Sequence, residues 1–316
     1  MEPLLAALRA CAEPTRLRLL ALGAVGAFCV SEFTEILGQS QPRLSRHLKL
    51  LCDAGLLGRN REGANVWFVV PPGPAGALTR DLLARLPPDD PILAADRRGA
   101  ARVLAERARI ASESFQRQGA EWDETRALQL PAAAVEAALV ALVPPRGVAR
   151  LLDIGTGTGR VLELLAPQIG EGLGIDASPA MLALARARLA RAGIAHCAVQ
   201  RADMYRLPLP DAGFDLVVAQ MVLHYAEAPD RVLAEAARVL APGGRLVVVD
   251  LGPHGRADLT ARFAHRWPGF APAAMTRMLA GAGLAAGATQ EIPPAQSGGL
   301  PVRVWTAHAA VPEPVV

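Results

Sequence analysis

Cysteines are few in this sequence, and long apolar runs are absent. The four cysteines, Cys11, Cys29, Cys52 and Cys197, stand far apart and form no Cys-x-Cys or Cys-x-x-Cys pair. Their spacing argues against a disulfide framework and a compact zinc site. The chain is 52% hydrophobic, yet no apolar run approaches the ~18 residues of a membrane span. Its first residues also lack the pattern of a signal peptide, so we expect a cytoplasmic protein.

Lysine is nearly absent as well. Lys49 is the single lysine among 33 basic residues, and the net charge is only +3. So small a net charge says little about nucleic acid partners. Binding to nucleic acid has to be inferred from local clusters of basic residues instead. A length of 316 residues exceeds one average domain and predicts two, each with its own core.

Basic residues cluster near the N-terminus, around two short helical patterns. Apolar residues recur at helical spacing in Ser31–Gly38 and in Ser40–Ala54, with a tight Gly-Gln-Ser turn between them. In the second segment Leu44, Leu48 and Leu51 form the buried stripe, which turns the polar residues towards solvent. This basic face suits the phosphate backbone of double-stranded DNA. The candidate DNA-contacting residues are Gln41, Arg43, Ser45, Arg46, Lys49, Arg59 and Arg61.

A hairpin is predicted directly after the second helix. The strand-like run Val66–Val70 follows a polar stretch, and we interpret the pair as a β-wing with Gly63 in its turn. The motif Ser-Gln-Pro-Arg-Leu-Ser-Arg-His-Leu-Lys-Leu-Leu, within residues 3–86, resembles the winged helix-turn-helix of ArsR-type repressors. This resemblance implies a transcriptional regulator. We expect a homodimer on an inverted repeat of operator DNA, because one recognition helix reads few base pairs.

Metal sensing is not expected in this region. Many ArsR-type repressors bind metal through a Cys-Val-Cys sequence, whereas the matching residues here read Phe28-Cys29-Val30-Ser31. One thiol is not a metal site. Residues 74–86 also contain no histidine, unlike the helix of zinc sensors. We therefore predict that Cys29 packs in the core.

A proline-rich and acidic segment, residues 87–91, ends the first domain. A long amphipathic helix is predicted from about Ile92 to Gln118, roughly 40 Å at 1.5 Å per residue. It could join two domains, pair with its copy in a dimer, or pack on its own domain. We expect a winged helix-turn-helix domain at 1–90, a helical linker and lid at 91–130, and a second domain at 131–316.

The second domain opens with a strand that runs into three glycines, Leu-Leu-Asp-Ile-Gly-Thr-Gly-Thr-Gly, and Asp176 follows seventeen positions after the last of them. Glycine lets the chain turn sharply close to a ligand, and a carboxylate that ends the next strand can hold ribose hydroxyls. A dinucleotide fingerprint would need glycine where the chain has Arg160. The spacing instead resembles motif I of class I S-adenosylmethionine-dependent methyltransferases, here Asp153, Gly155, Gly157 and Gly159.

Further segments resemble that family in order. The stretch after Phe115 resembles a lid, and the chain from about 115 to 310 implies a Rossmann-like α/β domain of seven strands with a terminal antiparallel hairpin. Strands are predicted at 150–154, before Asp176, at 195–201, 214–219, 245–251, 284–292 and 302–310. The implied cofactor is S-adenosyl-L-methionine or S-adenosyl-L-homocysteine. Its methionine part would lie against Asp153 and the glycines, its ribose against Asp176, and its adenine against Asp203 and Met204.

Catalytic residues are harder to assign, because methyl transfer needs mainly a positioned nucleophile. Candidates for a base are His224 and Tyr225 after the fourth strand, and His254 after the fifth. His224 could equally pack over the adenine. Methylation of DNA bases is disfavoured, because the chain has neither an Asn/Asp-Pro-Pro-aromatic turn after strand four nor a Pro-Cys pair. Arsenite methylation needs several thiols, and only Cys197 lies in this half.

Two functions of different class remain open. The first is a transcriptional regulator that senses S-adenosylmethionine or S-adenosylhomocysteine. The second is a methyltransferase for a small molecule, whose DNA-binding domain regulates its own operon. The intact cofactor motif supports both.

Overall fold

The computed structural model describes residues 2–62, 65–71, 74–118, 130–144, 148–256, 265–294 and 298–309. The predicted wing turn at Gly63, most of the predicted lid and residue 310 lie outside these ranges. No helix in the described ranges is long and apolar enough to cross a membrane.

The N-terminal unit is a winged helix-turn-helix, as predicted. Its strands form a small antiparallel sheet in the order β1-β3-β2, which confirms the wing. Its elements are α1 (Glu2–Cys11), α2 (Pro14–Val25), β1 (Phe28–Cys29), α3 (Val30–Leu37), α4 (Gln41–Asp53), β2 (Gly58–Glu62), β3 (Asn65–Val69) and α5 (Pro74–Leu83).

Helix α4 buries the apolar stripe that its sequence predicts. Leu44, Leu48 and Leu51 are fully buried with Phe28 and Phe33 in the core of this unit. The turn before α4 is tight because Gly38 ends α3 in the left-handed region, with φ 64°, where glycine is favoured.

Our prediction for Cys29 was wrong. Cys29 is only partly buried, because it is the N-cap residue of α3 rather than a core residue. Its backbone N–H donates to Glu32 Oε2 at 2.8 Å, and its Sγ lies 3.1 Å from Ser31 Oγ. The thiol therefore sits at a helix end.

The C-terminal unit is a seven-stranded sheet flanked by helices, as predicted. The strand order is β6-β5-β4-β7-β8-β10-β9, and all neighbours are parallel except β10, which is antiparallel to both β8 and β9. Its elements are α7 (Ala132–Leu142), β4 (Val148–Ile154), α8 (Arg160–Leu165), β5 (Ile169–Asp176), α9 (Pro179–Arg191), β6 (Cys197–Arg201), β7 (Phe214–Gln220), α10 (Pro229–Val239), β8 (Leu240–Leu251), α11 (Pro272–Gly281), β9 (Leu284–Ile292) and β10 (Val302–Ala309).

The central strands are apolar because both faces of the sheet are covered by helices. Along β4, Leu152 and Ile154 pack in one core cluster and Leu151 in the other, as alternate residues of a strand must. Strand β8 begins earlier than predicted, at Leu240, because its first residue already pairs with Phe214 before the register shifts.

The long helix α6 (Pro91–Gln118) contacts both units. Its first half belongs to the N-terminal core through Ala100, Val103 and Leu104. Asp96 is buried there and receives two hydrogen bonds from Arg18, each 2.7 Å long. The same helix packs along α9 of the C-terminal unit. Of the arrangements left open by the sequence, α6 therefore packs on its own unit and also joins it to the other.

Candidate functional site

The glycine loop, residues 155–159, links β4 to α8 at the carboxyl edge of the sheet. Its glycines all have positive φ, 70° at Gly155, 51° at Gly157 and 76° at Gly159, which other residues rarely adopt. A Cβ at Gly155 would lie 2.5 Å from Val222 Cγ2, and one at Gly159 would lie 3.0 Å from Ala185 Cβ. At Gly157 a Cβ would meet nothing within 4 Å. The loop is packed at both ends and open in the middle.

Asp176 ends β5 and is bonded to the glycine loop. Its Oδ2 accepts a hydrogen bond from the Gly157 N–H at 2.9 Å, and its Oδ1 accepts one from the Ser178 N–H at 2.8 Å. Ser178 is the N-cap residue of α9, where its Oγ accepts from Met181 N. One carboxylate thus connects the glycine loop with the start of α9.

Asp153 is a buried carboxyl beneath the glycine loop, with 1% of its surface exposed. Its Oδ2 accepts a 2.6 Å hydrogen bond from Thr156 Oγ1, and its Oδ1 has no hydrogen-bond partner among the described residues. Burial raises the pKa of Asp153 to about 7. The hydrogen bond from Thr156 lowers this pKa, and the charge of Asp176 raises it further. Such a group favours a cation as its neighbour.

Asp203 and Met204 lie on the loop that follows β6. Asp203 is exposed, and its Oδ1 accepts from the Tyr205 N–H at 2.9 Å. Met204 is partly buried against the apolar cluster of the sheet. Because β4, β5 and β6 are adjacent and parallel, their carboxyl ends bring all the predicted cofactor residues to one edge.

His224 and Tyr225 lie in a short 3-10 turn, Leu223–Tyr225, directly after β7. His224 is buried, and its Nδ1 lies 2.7 Å from Oδ1 of the fully buried Asp250, which is in β8. Asp250 Oδ2 also accepts from the backbone N–H groups of Leu223 and His224. Sequence reasoning missed Asp250. Its signal was an acidic residue near the end of an apolar strand, as at Asp153.

A second histidine joins this pair from a distant loop. The ring centroid of buried His265 lies 4.5 Å from that of His224 and 5.4 Å from that of Tyr225. The carbonyl of His224 accepts from the N–H groups of Arg266 and Trp267. No local sequence signal could place His265 here, because the contact joins residues that are 41 positions apart in the sequence. The third candidate base, His254, lies on the loop after β8 and accepts from Arg256 N at 3.3 Å.

A small apolar cluster includes Met221, which precedes the turn that holds His224. Leu251 and Leu300 are its buried members, and Leu130 and Met221 pack against them. Met221 has φ 52°, a strained value for a residue with a side chain, and its N–H donates to Val249 O at 2.7 Å. The sharp turn at Met221 directs the chain from β7 towards the turn that holds His224.

The predicted DNA-contacting residues share one property: all seven are exposed. They lie on α4 and on β2 of the wing, and are Gln41, Arg43, Ser45, Arg46, Lys49, Arg59 and Arg61. The buried leucines of α4 hold its opposite side against the core. This arrangement presents a basic helix and a basic hairpin that can contact phosphates.

Two family matches cover these two parts of the chain. Residues 13–58 match the bacterial regulatory protein family arsR, and residues 152–248 match a methyltransferase domain. A demethylmenaquinone methyltransferase of Thermus thermophilus is 39% identical over 106 residues, which are 33% of this chain and 48% of the relative. A trans-aconitate 2-methyltransferase of Methylobacterium nodulans is 39% identical over 133 residues, 41% of this chain and 49% of the relative. The chain spans about half the length of these curated relatives.

Solved structures show the same fold for the C-terminal unit. The YcgJ protein of Bacillus subtilis matches with a TM-score of 0.50 and 19% identity, over 56% of this chain and 98% of that chain. A geranyl diphosphate methyltransferase in complex with S-adenosylmethionine matches with a TM-score of 0.50 and 19% identity, over 56% of this chain and 85% of that chain. The protein therefore combines an ArsR-family helix-turn-helix region with a class I methyltransferase domain.

Proposed function

We propose that this protein is a DNA-binding transcriptional regulator whose methyltransferase domain binds S-adenosylmethionine or S-adenosylhomocysteine, and that cofactor binding changes operator binding. The observation that carries the proposal is the position of Asp176. Its carboxylate is bonded to the glycine loop and to the start of α9, and α9 packs along α6 of the DNA-binding unit. A ligand that engages Asp176 thus acts on a helix that contacts the other unit.

The residues present fit this cofactor. Gly157 leaves open space, Asp176 ends β5 where a ribose can be held, and Asp153 has a buried oxygen without a partner among the described residues. Asp153 would pair with the cation of the methionine part, while Asp203 would accept from the adenine amine and Met204 would pack on the base. When bound, S-adenosylmethionine supplies a methyl group activated by a positive sulfur.

On the DNA side we propose a homodimer that binds an inverted repeat. Helix α4 would enter the major groove, and the wing arginines would contact phosphates. Leu4, Leu5 and Leu8 are exposed along α1 and offer an apolar face for a second copy. Two recognition helices about one helical turn apart then read enough base pairs for specificity.

The direct test is operator affinity, measured at fixed salt for the cofactor-free protein and for each cofactor form. We expect the affinities to differ by about 5- to 150-fold, a typical range for coupled sites. Equal affinities in all three states would contradict the coupling and leave two independent activities on one chain.

The second candidate function is methylation of a small molecule, with operator binding as self-regulation. It is favoured by the buried His224–Asp250 pair beside Tyr225, at the sheet edge where the predicted cofactor residues lie. A histidine that is oriented by a carboxylate could act as a base and remove a proton from the small molecule that receives the methyl group. The test is methyl transfer to a panel of small acceptors by the wild type and by His224→Asn, for which we expect a loss of about 100-fold or more. Absence of transfer to every acceptor by the wild type would count against this function.

A further inference from the structure

The wing carries a tryptophan that contacts both units. Trp67 lies in β3, and the Arg107 guanidinium carbon of α6 lies 4.6 Å from its ring centroid. The guanidinium carbon of Arg186, from α9 of the methyltransferase domain, lies 4.8 Å from the same centroid. Both distances fall within the range of cation–π contacts, which strengthen when water is excluded.

Arg186 faces the N-terminal unit because of its place on α9. Leu182, Ala185 and Leu189 of this helix are buried against the methyltransferase sheet. Arg186 and Ala190, four residues apart, lie on another side of the helix, and Ala190 packs against the N-terminal core. Arg186 is only 7% exposed, and a buried guanidinium needs partners to offset its lost hydration. Trp67 is one of them.

An ion pair forms another contact between the two units. Arg80 of α5 lies 3.7 Å from Glu171 of β5. Because Arg80 is 43% exposed, this pair contributes little to stability. Of these two side-chain contacts, Trp67 with Arg186 is therefore the better candidate for a specific link beside the packing of α6 along α9.

Helix α9 contacts the predicted cofactor residues and α8 at several points. Its N-cap residue Ser178 is bonded to Asp176, and Ala185 lies against Gly159. Arg188 donates to Glu163 of α8 at 3.1 Å. A movement of the glycine loop or of Asp176 would therefore act on α9.

We infer that the contact of Trp67 with Arg186 transmits cofactor occupancy to the DNA-contacting wing. Trp67 pairs with Asn60 in the β2–β3 ladder, between the positions of Arg59 and Arg61. A shift of Arg186 on the tryptophan ring therefore moves the strand that carries both wing arginines relative to α4. This inference rests on the proposed coupling and names its physical link.

The test compares Arg186→Met with a matched control. Methionine keeps much of the length of the side chain but removes the cation. The control is Arg150→Met, because Arg150 lies over Phe214 at 5.0 Å, inside the methyltransferase domain. We expect S-adenosylhomocysteine to change operator affinity at least ~5-fold in the wild type and in the control. In Arg186→Met we expect a change below about 2-fold.

A second measurement follows hydrogen exchange in the wing in the absence of DNA. Hydrogen exchange of residues 58–69 should slow when S-adenosylhomocysteine is added to the wild type and to Arg150→Met, but not to Arg186→Met. Calorimetry checks that Arg186→Met still binds the cofactor. If that variant fails to fold, Trp67→Leu removes the same contact from the other side and should give the same loss of coupling.

The outcomes separate this inference from the proposed function. Full coupling in Arg186→Met or in Trp67→Leu overturns the role of this contact and leaves the regulator intact. No cofactor effect on the wild type overturns the proposed coupling itself. Loss of coupling in the Arg150→Met control as well would mean that any loss of an arginine–aromatic contact disturbs the fold, which also overturns the inference.

Discussion

A single carboxyl, Asp153, would give the proposed cofactor site a dependence on pH. Burial raises its pKa to about 7, so the group is largely protonated below that pH and ionised above it. The ionised form is the one that attracts a cation, so a bound cation lowers the pKa of Asp153. Cofactor binding at this carboxylate would therefore release a proton between the lowered pKa of the bound form and about pH 7, and little above that pH.

We predict that affinity for S-adenosylhomocysteine, which carries an ammonium group, falls as pH decreases below 7. The loss should approach about tenfold per pH unit if the cation pairs only with the carboxylate. Calorimetry from pH 5.5 to 8.5, in buffers of different ionisation heat, measures both the affinity and the released proton. The control Asp153→Asn should bind more weakly with little pH dependence. A wild-type affinity that is flat across this range would show that Asp153 does not face the cation.

Asp176 gives a second prediction for a single residue. If Asp176 holds the ribose as proposed, replacing it with alanine would remove one or two charge-assisted hydrogen bonds, each worth on the order of 1.5–3 kcal/mol. It also leaves the Gly157 and Ser178 N–H groups without their acceptor. We expect at least a tenfold lower affinity for both cofactor forms, measured by calorimetry. The exposed Asp230→Ala is the control. Unchanged affinity would mean that other residues hold the ribose, and a preference for NAD would overturn the cofactor assignment.

Among the elements, α4 was predictable because its burial follows from spacing alone. Leucines at positions 44, 48 and 51 turn one side of the helix inwards, and the structure buries all three. Strands β7 and β8 were likewise predictable from apolar runs next to turn signals, whereas β5, β9 and β10 were placed by the resemblance to the methyltransferase family. In contrast, the contact of α6 with α9 depends on a distant partner. The contact of His224 with His265 also joins residues that are far apart in the sequence. Sequence spacing predicts neither of these two contacts.

For α4 we predict that Arg46→Ala weakens specific operator binding by about 1–3 kcal/mol, or 5- to 150-fold, because Arg46 is exposed on the recognition helix. Binding is measured at fixed salt with specific and with scrambled duplexes. Arg277→Ala, an exposed arginine of α11 in the other unit, controls for lost charge. Equal operator affinity in wild type and Arg46→Ala would remove α4 from the role of recognition helix.

For the whole molecule, the sequence predicted two activities but not their geometry. Each unit has its own core, and motifs within each core are local enough to be identified. The relation between the units rests on the packing of α6 along α9 and on side-chain contacts such as Trp67 with Arg186 and Arg80 with Glu171. None of these residues belongs to a motif, so their meeting could not be predicted. In our proposal these contacts couple the two halves.

The last prediction concerns this joint action and follows from linkage. If cofactor changes operator affinity by some factor, operator DNA must change cofactor affinity by the same factor, because both are one coupling free energy. We expect S-adenosylhomocysteine titrations with and without a saturating operator duplex to give that factor, within error, and a scrambled duplex to give a much smaller one. Such agreement would exclude an artefact of either assay. If cofactor changes operator affinity but operator leaves cofactor affinity unchanged, the first effect cannot be equilibrium coupling within this protein, and the proposal of a cofactor-sensing regulator would fail.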